Sequence, residues 1–159
     1  MKIRILAMMA ATAFIMSVCA CSSDKNEPEV ALAVQVAGAY TGNQVITVMG
    51  DESSNETVTF NFSKASDFAI DMTIPASGEG MMAMPALPVK SITLTKSGNG
   101  IVGKLASYSG TVTNAQGSEK AYTVNDITAI FNDKAVVVAF TVKYGNMPFD
   151  MISNFTGTK

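Results

Sequence analysis

Cysteine is the side chain in this sequence best suited to covalent chemistry, and the chain has two, Cys19 and Cys21. Cys21 closes the run Val18-Cys19-Ala20-Cys21, with a branched apolar residue three positions before it and a small residue directly before it. That order suits a particular sequence of reactions. The thiol of Cys21 acts as the nucleophile that takes a diacylglyceryl group as a thioether. A signal peptidase then cuts before it, which requires a small side chain at Ala20. The freed α-amine is open to further acylation. The pattern is a lipobox, and Cys21 is the expected lipid-attachment residue.

The remaining residue types close off most other chemistry. Residues 21–159 contain no His, no Trp, no Arg and no cysteine besides Cys21. Without His or a second thiol, the common acid–base, nucleophilic and zinc or copper sites lack their groups. Without Arg, the usual bidentate reader of phosphate and guanine is missing. Removing Lys2 and Arg4 leaves nine basic residues against 13 acidic ones, a net charge of −4 for residues 21–159, which argues against nucleic-acid binding. The chain has no D-x-[DN]-x-[DN]-G calcium loop and no glycine-rich phosphate fingerprint. A carboxylate pair such as Asp67 and Asp71 has no supporting context. No catalytic residue, metal ligand or cofactor is assigned, and the expectation is a non-enzymatic protein.

The elements before and after Cys21 fit its role. Lys2 and Arg4 make a basic start, and Ile5 to Val18 is an uncharged apolar run of fourteen residues. A bilayer-spanning helix needs about 20 apolar residues, so residues 1–20 read as a secretory signal peptide. The following Ser22-Ser23-Asp24-Lys25-Asn26-Glu27-Pro28-Glu29 is polar and mostly charged, and residues 21–35 read as a lipidated tether. The Ser-Asp-Lys and acidic cluster also resembles the export signal that sends some lipoproteins of Gram-negative gut anaerobes to the outer face of the outer membrane.

From residue 36 to residue 159 the pattern is that of one all-β domain. Val58, Phe60 and Phe62 alternate with Thr57, Thr59 and Asn61, and Phe68, Ile70, Met72 and Ile74 alternate with Ala69, Asp71 and Thr73. Val136, Val138, Phe140, Val142 and Tyr144 form a third such series. Period two with β-branched and aromatic residues marks half-buried strands. The expected strands are 36–49, 56–63, 67–74, 89–96, 100–113, 119–131, 134–144 and 147–157. Asp51 to Asn55, Ser63 to Asp67, Ser97-Gly98-Asn99-Gly100 and Asn132-Asp133 are among the expected turns. Tyr122 and Val124 are out of phase with Ile127, Ala129 and Phe131, which predicts a bulge at Asn125-Asp126. Eight short-linked strands describe an antiparallel up-and-down meander. Closing it into an eight-stranded barrel removes its edges; a two-sheet β-sandwich is the alternative. In the barrel, Gly38-Ala-Tyr40-Thr-Gly42 and Phe155-Thr-Gly157 would lie side by side.

One connection is long. Residues 75–88 hold three Pro, two Gly and the methionines Met81, Met82 and Met84. Loops of this length are often functional, and methionine adapts to irregular apolar surfaces. Two readings stand: a lid whose Met81, Met82 and Met84 bind a ligand, or a plug that fills one barrel end.

With its lipobox, its Val36-Ala-Gly38-Ala-Tyr40-Thr-Gly42 opening, its Thr-rich strands and its closing Asn154-Phe155-Thr-Gly157-Thr, the mature chain resembles the calycin-like (lipocalin-like) bacterial lipoproteins. The resemblance implies a lipocalin- or avidin-like barrel and small-ligand binding, and it carries no catalytic residues to transfer. The expected protein is therefore lipid-anchored in the outer membrane and faces the exterior. Its partners would be the membrane and either a small apolar ligand or another surface protein.

Overall fold

In the computed structural model, which describes residues 30–80 and 83–159, the inward series of the sequence becomes the lining of a closed barrel. A short helix α1 (Leu32–Val36) precedes eight strands: β1 (Gly38–Val48), β2 (Asp51–Ser66), β3 (Ala69–Ile74), β4 (Leu87–Ser97), β5 (Gly100–Thr113), β6 (Glu119–Asn132), β7 (Ala135–Tyr144) and β8 (Met151–Thr158). Each strand pairs antiparallel with the next, and β8 pairs with β1. The sandwich alternative is thereby excluded. Closure gives every strand two neighbours, although the distal parts of β2 (51–60) and β5 (105–113) are paired on one side only.

Alternation decides what fills the barrel. Val136, Val138, Phe140, Val142 and Tyr144 are all buried, as their period-two spacing requires. Tyr40, Phe62 and Phe131 form one edge-to-face cluster with centroids 5.2–5.8 Å apart. Phe60 packs on Phe155 at 4.4 Å and on Phe140 at 6.1 Å. Such pairs add about 0.5–1.5 kcal/mol each beyond the area they bury. An eight-stranded barrel has room for side chains or for one small ligand. Here large, fully buried side chains such as Tyr40, Phe60, Met72, Leu87, Ile92 and Phe155 occupy it.

Bulges give the wall its curvature. The β6–β7 register shifts between Asn125 and Thr128, and Asp126 adopts φ 55°, which moves Ile127 inward where strict alternation from Val124 would not. A second shift lies in the β3–β4 ladder between Ile70 and Met72, opposite Ser91 at φ 62°. The Asp71 carboxylate accepts a hydrogen bond from the Ser91 backbone N–H at 2.9 Å, and Lys90 lies 3.5 Å from its other oxygen. Asp71 is thus a structural clamp on a bulge. Asp67 pairs instead with Lys64 at 2.6 Å.

The two barrel ends differ. At the proximal end, α1 covers the opening with Leu32, Ala33 and Val36 buried. The Tyr40 hydroxyl donates to the Val36 carbonyl at 3.0 Å. Lys159 donates to the carbonyls of Gln35 and Ala37 and stands 5.2 Å from the Tyr40 ring centroid. At the distal end lie the Met49-Gly50 turn, residues 75–80 and 83–86, the 114–118 turn and the 145–150 turn.

Several local expectations change. Helix α1 straddles residues 35 and 36, the expected boundary between tether and domain, because its apolar face finds a place over the barrel mouth. Phe68 is an exposed turn residue, not part of the inward series. Residues 51–55 belong to β2, and the preceding turn is Met49-Gly50, with both residues at positive φ. The turn after β4 falls within the expected Ser97-Gly98-Asn99-Gly100, centred on Gly98-Asn99 with Gly98 supplying the positive φ. The last strand begins at Met151, since Pro148 offers no N–H to a ladder.

Candidate functional site

The distal end takes its shape from unequal strand lengths. β3 has only six residues and stops before Pro75, whereas its neighbour β2 has sixteen. The chain from Pro75 must bridge this lower section of wall before β4 begins. It does so by folding on itself: Ser77 N–H donates to the Met84 carbonyl at 3.0 Å, and Met84 N–H donates to the Ser77 carbonyl at 2.8 Å. This small ladder fixes Met84, whose side chain is 3% exposed and belongs to the core.

Beside it, the 145–150 turn is pinned by Gly145 N–H to Ala121 O at 2.7 Å and Met147 N–H to Tyr144 O at 3.2 Å. Between the two segments lies a cleft of about 300 Å³. Ile46, Val48, Met84, Met147, Phe149 and Met151 form its apolar wall. Ser53, Ser54, Glu56 and Ser77 stand on its polar side. A second depression of about 430 Å³ shares Glu56, Ser77, Gly78 and Met84 with the first, so the Ser77–Met84 ladder is a ridge between two hollows.

The polar groups nearby set the electrostatics. Asp51, Glu52, Glu56, Glu79, Glu119 and Asp150 stand on the distal part of the molecule against Lys120 and Lys143. This rim repels anions. Within the distal half of the barrel, Gln44 of β1 donates to the Ser153 hydroxyl of β8 at 2.9 Å, with both side chains buried. The Tyr122 hydroxyl donates to the Pro88 carbonyl. Burial, reinforced by the neighbouring Tyr108, pushes the Tyr122 hydroxyl pKa up to about 12. Tyr144, in register with Tyr122 on β7, has a buried hydroxyl without a hydrogen-bond partner among the described residues.

The residues singled out from sequence fare differently. Cys21, the signal segment and most of the tether lie outside the described residues, as do Met81 and Met82. Met84 is seated in the core, as the plug reading has it, while also contributing to the cleft wall. Sequence reasoning missed Met147, Phe149 and Met151, because Met147-Pro148-Phe149 reads as the start of a strand. Pro148 was the available signal that the segment is a turn. Among the described residues there is no group of three or more His, Cys, Asp or Glu placed to hold a metal ion.

No family model matches the chain, and no curated protein matches it. Among solved structures, it is similar to a crystal structure of a candidate outer membrane protein from Bacteroides fragilis NCTC 9343, with a TM-score of 0.63 at 19% identity. The match covers 82% of this chain and 53% of that one, so the chain spans about half the length of the protein it resembles. What the two share is the fold.

Proposed function

We propose that this chain is a non-enzymatic cell-envelope lipoprotein of the calycin-like kind, held in the outer membrane by acylated Cys21 with its barrel facing the exterior, and that its distal cleft takes a small apolar ligand. The convergence of Met84, Met147, Met151 and Phe149 on one cleft of about 300 Å³ carries the ligand reading. That volume is at the lower end of small-molecule sites. The acidic rim favours a neutral or cationic ligand over a fatty-acid anion. The Val18–Cys21 lipobox supports the anchor, and the fold shared with a candidate outer membrane protein supports the envelope address.

A second reading has its own support. The packed aromatic interior favours an accessory surface protein that acts through protein contacts and binds nothing inside its barrel. The Thr- and Ser-rich outer face, with side-chain pairs such as Thr41–Thr59 and Ser109–Thr123, suits such contacts.

Titration with the neutral fluorophore N-phenyl-1-naphthylamine separates the two. The ligand reading expects saturable binding that weakens in a Met147→Ser, Phe149→Ser variant of unchanged stability. Absence of binding by the native protein would leave the accessory reading. For the anchor, metabolic labelling with a fatty-acid analogue should mark the native protein and not Cys21→Ala.

A further inference from the structure

The proximal end carries an apolar patch that the barrel itself does not use. Phe68, at the tip of the β2–β3 turn, is 64% exposed. Val30, where the described chain begins, and Val34, on the outer side of α1, are also exposed. Phe68 shares with Val30, Leu32 and Leu94 the lining of a groove of about 410 Å³. The groove is held in shape from both sides: Ala33 N–H donates to Asp67 O at 3.1 Å, and Leu94 N–H donates to Phe68 O at 2.8 Å. An aromatic ring held at an exposed turn tip keeps its apolar surface in water and gains the free energy of burial only when something covers it.

Charge is divided along the barrel axis. The proximal end carries Lys64, Lys96, Lys134 and Lys159 against Asp67 and Asp133, a side-chain charge of +2. The distal end carries six carboxylates against Lys120 and Lys143, a side-chain charge of −4. An apolar tip with Lys96 beside it and Lys64 one turn residue away, on an end of net positive charge, is the composition of an interfacial membrane contact.

Chain length adds the third constraint. Eight residues, 22–29, separate the lipid-attachment position Cys21 from Val30, which makes nine residue steps. At about 3.3–3.6 Å per residue they reach no more than about 32 Å, so an anchored chain holds its proximal end close to the lipid.

We infer that the proximal end is a membrane-docking face: Phe68, with Val30 and Val34 beside it, inserts at the headgroup level of an anionic lipid surface, the proximal lysines meet the headgroups, and the acidic distal end with its cleft points away. The inference rests on the lipid-anchor reading above. It turns the anchor from a loose leash into one of two contacts, which orients the barrel.

The chain has no tryptophan, so a single introduced indole reports its own surroundings. Full-length acylated protein carrying Phe68→Trp is to be reconstituted into vesicles of phosphatidylcholine and phosphatidylglycerol, with Phe149→Trp as the distal counterpart. The expected result is that the indole at position 68 shifts to the blue and loses most of its emission to brominated lipid, while the one at 149 does neither and stays open to acrylamide. If the protein floats with the vesicles but the indole at 68 is insensitive to brominated lipid, the docking face is wrong and the anchor stands. Equal quenching at both positions means the barrel lies on its side, which also overturns the proposal. If the protein does not float with the vesicles, the anchor fails and the docking face falls with it.

Discussion

Gly42 of β1 lies directly opposite Gly157 of β8, at the seam where the last strand meets the first. A Cβ on Gly42 would fall on the Thr156 carbonyl oxygen and on Cα of Gly157. A Cβ on Gly157 would strike the edge of the Phe155 ring and come within 3.0 Å of the Thr41 carbonyl oxygen. Neither backbone can retreat, because each is hydrogen-bonded to a further strand on its other side. The barrel closes at this pair only because both residues lack a side chain.

Gly42→Val should therefore destabilise the domain by about 1–3 kcal/mol or more, the usual cost of overpacking. Gly117→Asn is the control. Gly117 sits in the 114–118 turn at φ 77° with open space around it, and Asn tolerates that conformation. Urea denaturation should show a lower midpoint for the first variant and little change for the second. An unchanged midpoint for Gly42→Val would mean that the seam opens without cost.

Phe140 and Thr141 are neighbours on β7 with opposite roles. Phe140 is buried against Phe60, while Thr141 faces outward and is half-buried. Phe140→Ala should cost about 3–5 kcal/mol, a large share of a small domain's stability. Thr141→Ala should cost little. Equal shifts in denaturation midpoint would contradict the assigned inner face.

Met84 offers a test of the plug. Its side chain is buried beneath the Ser77–Met84 ladder. Met84→Ala should cost about 2–5 kcal/mol, the range for truncating a buried methionine. Met147→Ala, at the partly buried edge of the cleft, should cost clearly less. Thermal unfolding of the two variants would show whether residue 84 is core or lid.

Alkaline pH should destabilise the barrel through its tyrosines. Desolvation raises the Tyr122 pKa from 10.0 to about 12, with Tyr108 adding to the shift, and burial also raises that of Tyr40. The unfolded chain then loses these protons first, so the stability they confer is complete below pH 10 and is lost as pH rises toward about 12. For Tyr122 the loss is on the order of 2 kcal/mol. Tyr122→Phe should start lower, by about 0.5–1.5 kcal/mol for its hydrogen bond to Pro88, and fall less steeply over the same interval. Denaturant midpoints from pH 9 to pH 12 provide the check; parallel curves would remove Tyr122 from the account.

Sequence alone determined the features that depend on near neighbours in the chain. The alternation in 136–144 named the inner face of β7, because side chains on a strand must alternate and only one face of this wall is dry. The phase change between Val124 and Ile127 located the β6 bulge, because an inserted residue is the only way to keep both stretches facing inward. The Gly42 and Gly157 motifs foretold the seam that makes the structure a barrel and not a sandwich.

Tertiary structure decided what depends on residues far apart. Phe68 fits the period of β3 but is exposed, because the β2–β3 register places the turn at Asp67-Phe68. Leu32, Ala33 and Val36 look like the end of a tether until a barrel mouth exists for them to cover. Ser77 and Met84 have no local reason to pair. Met147 and Phe149 become the wall of a cleft only when β8 closes against β1 and brings the 145–150 turn beside Ser77, Gly78 and Met84. Periodicity records which side of a strand is buried, since that repeats every two residues. It holds no record of which loops meet at a barrel end, since that is set by closure of all eight strands.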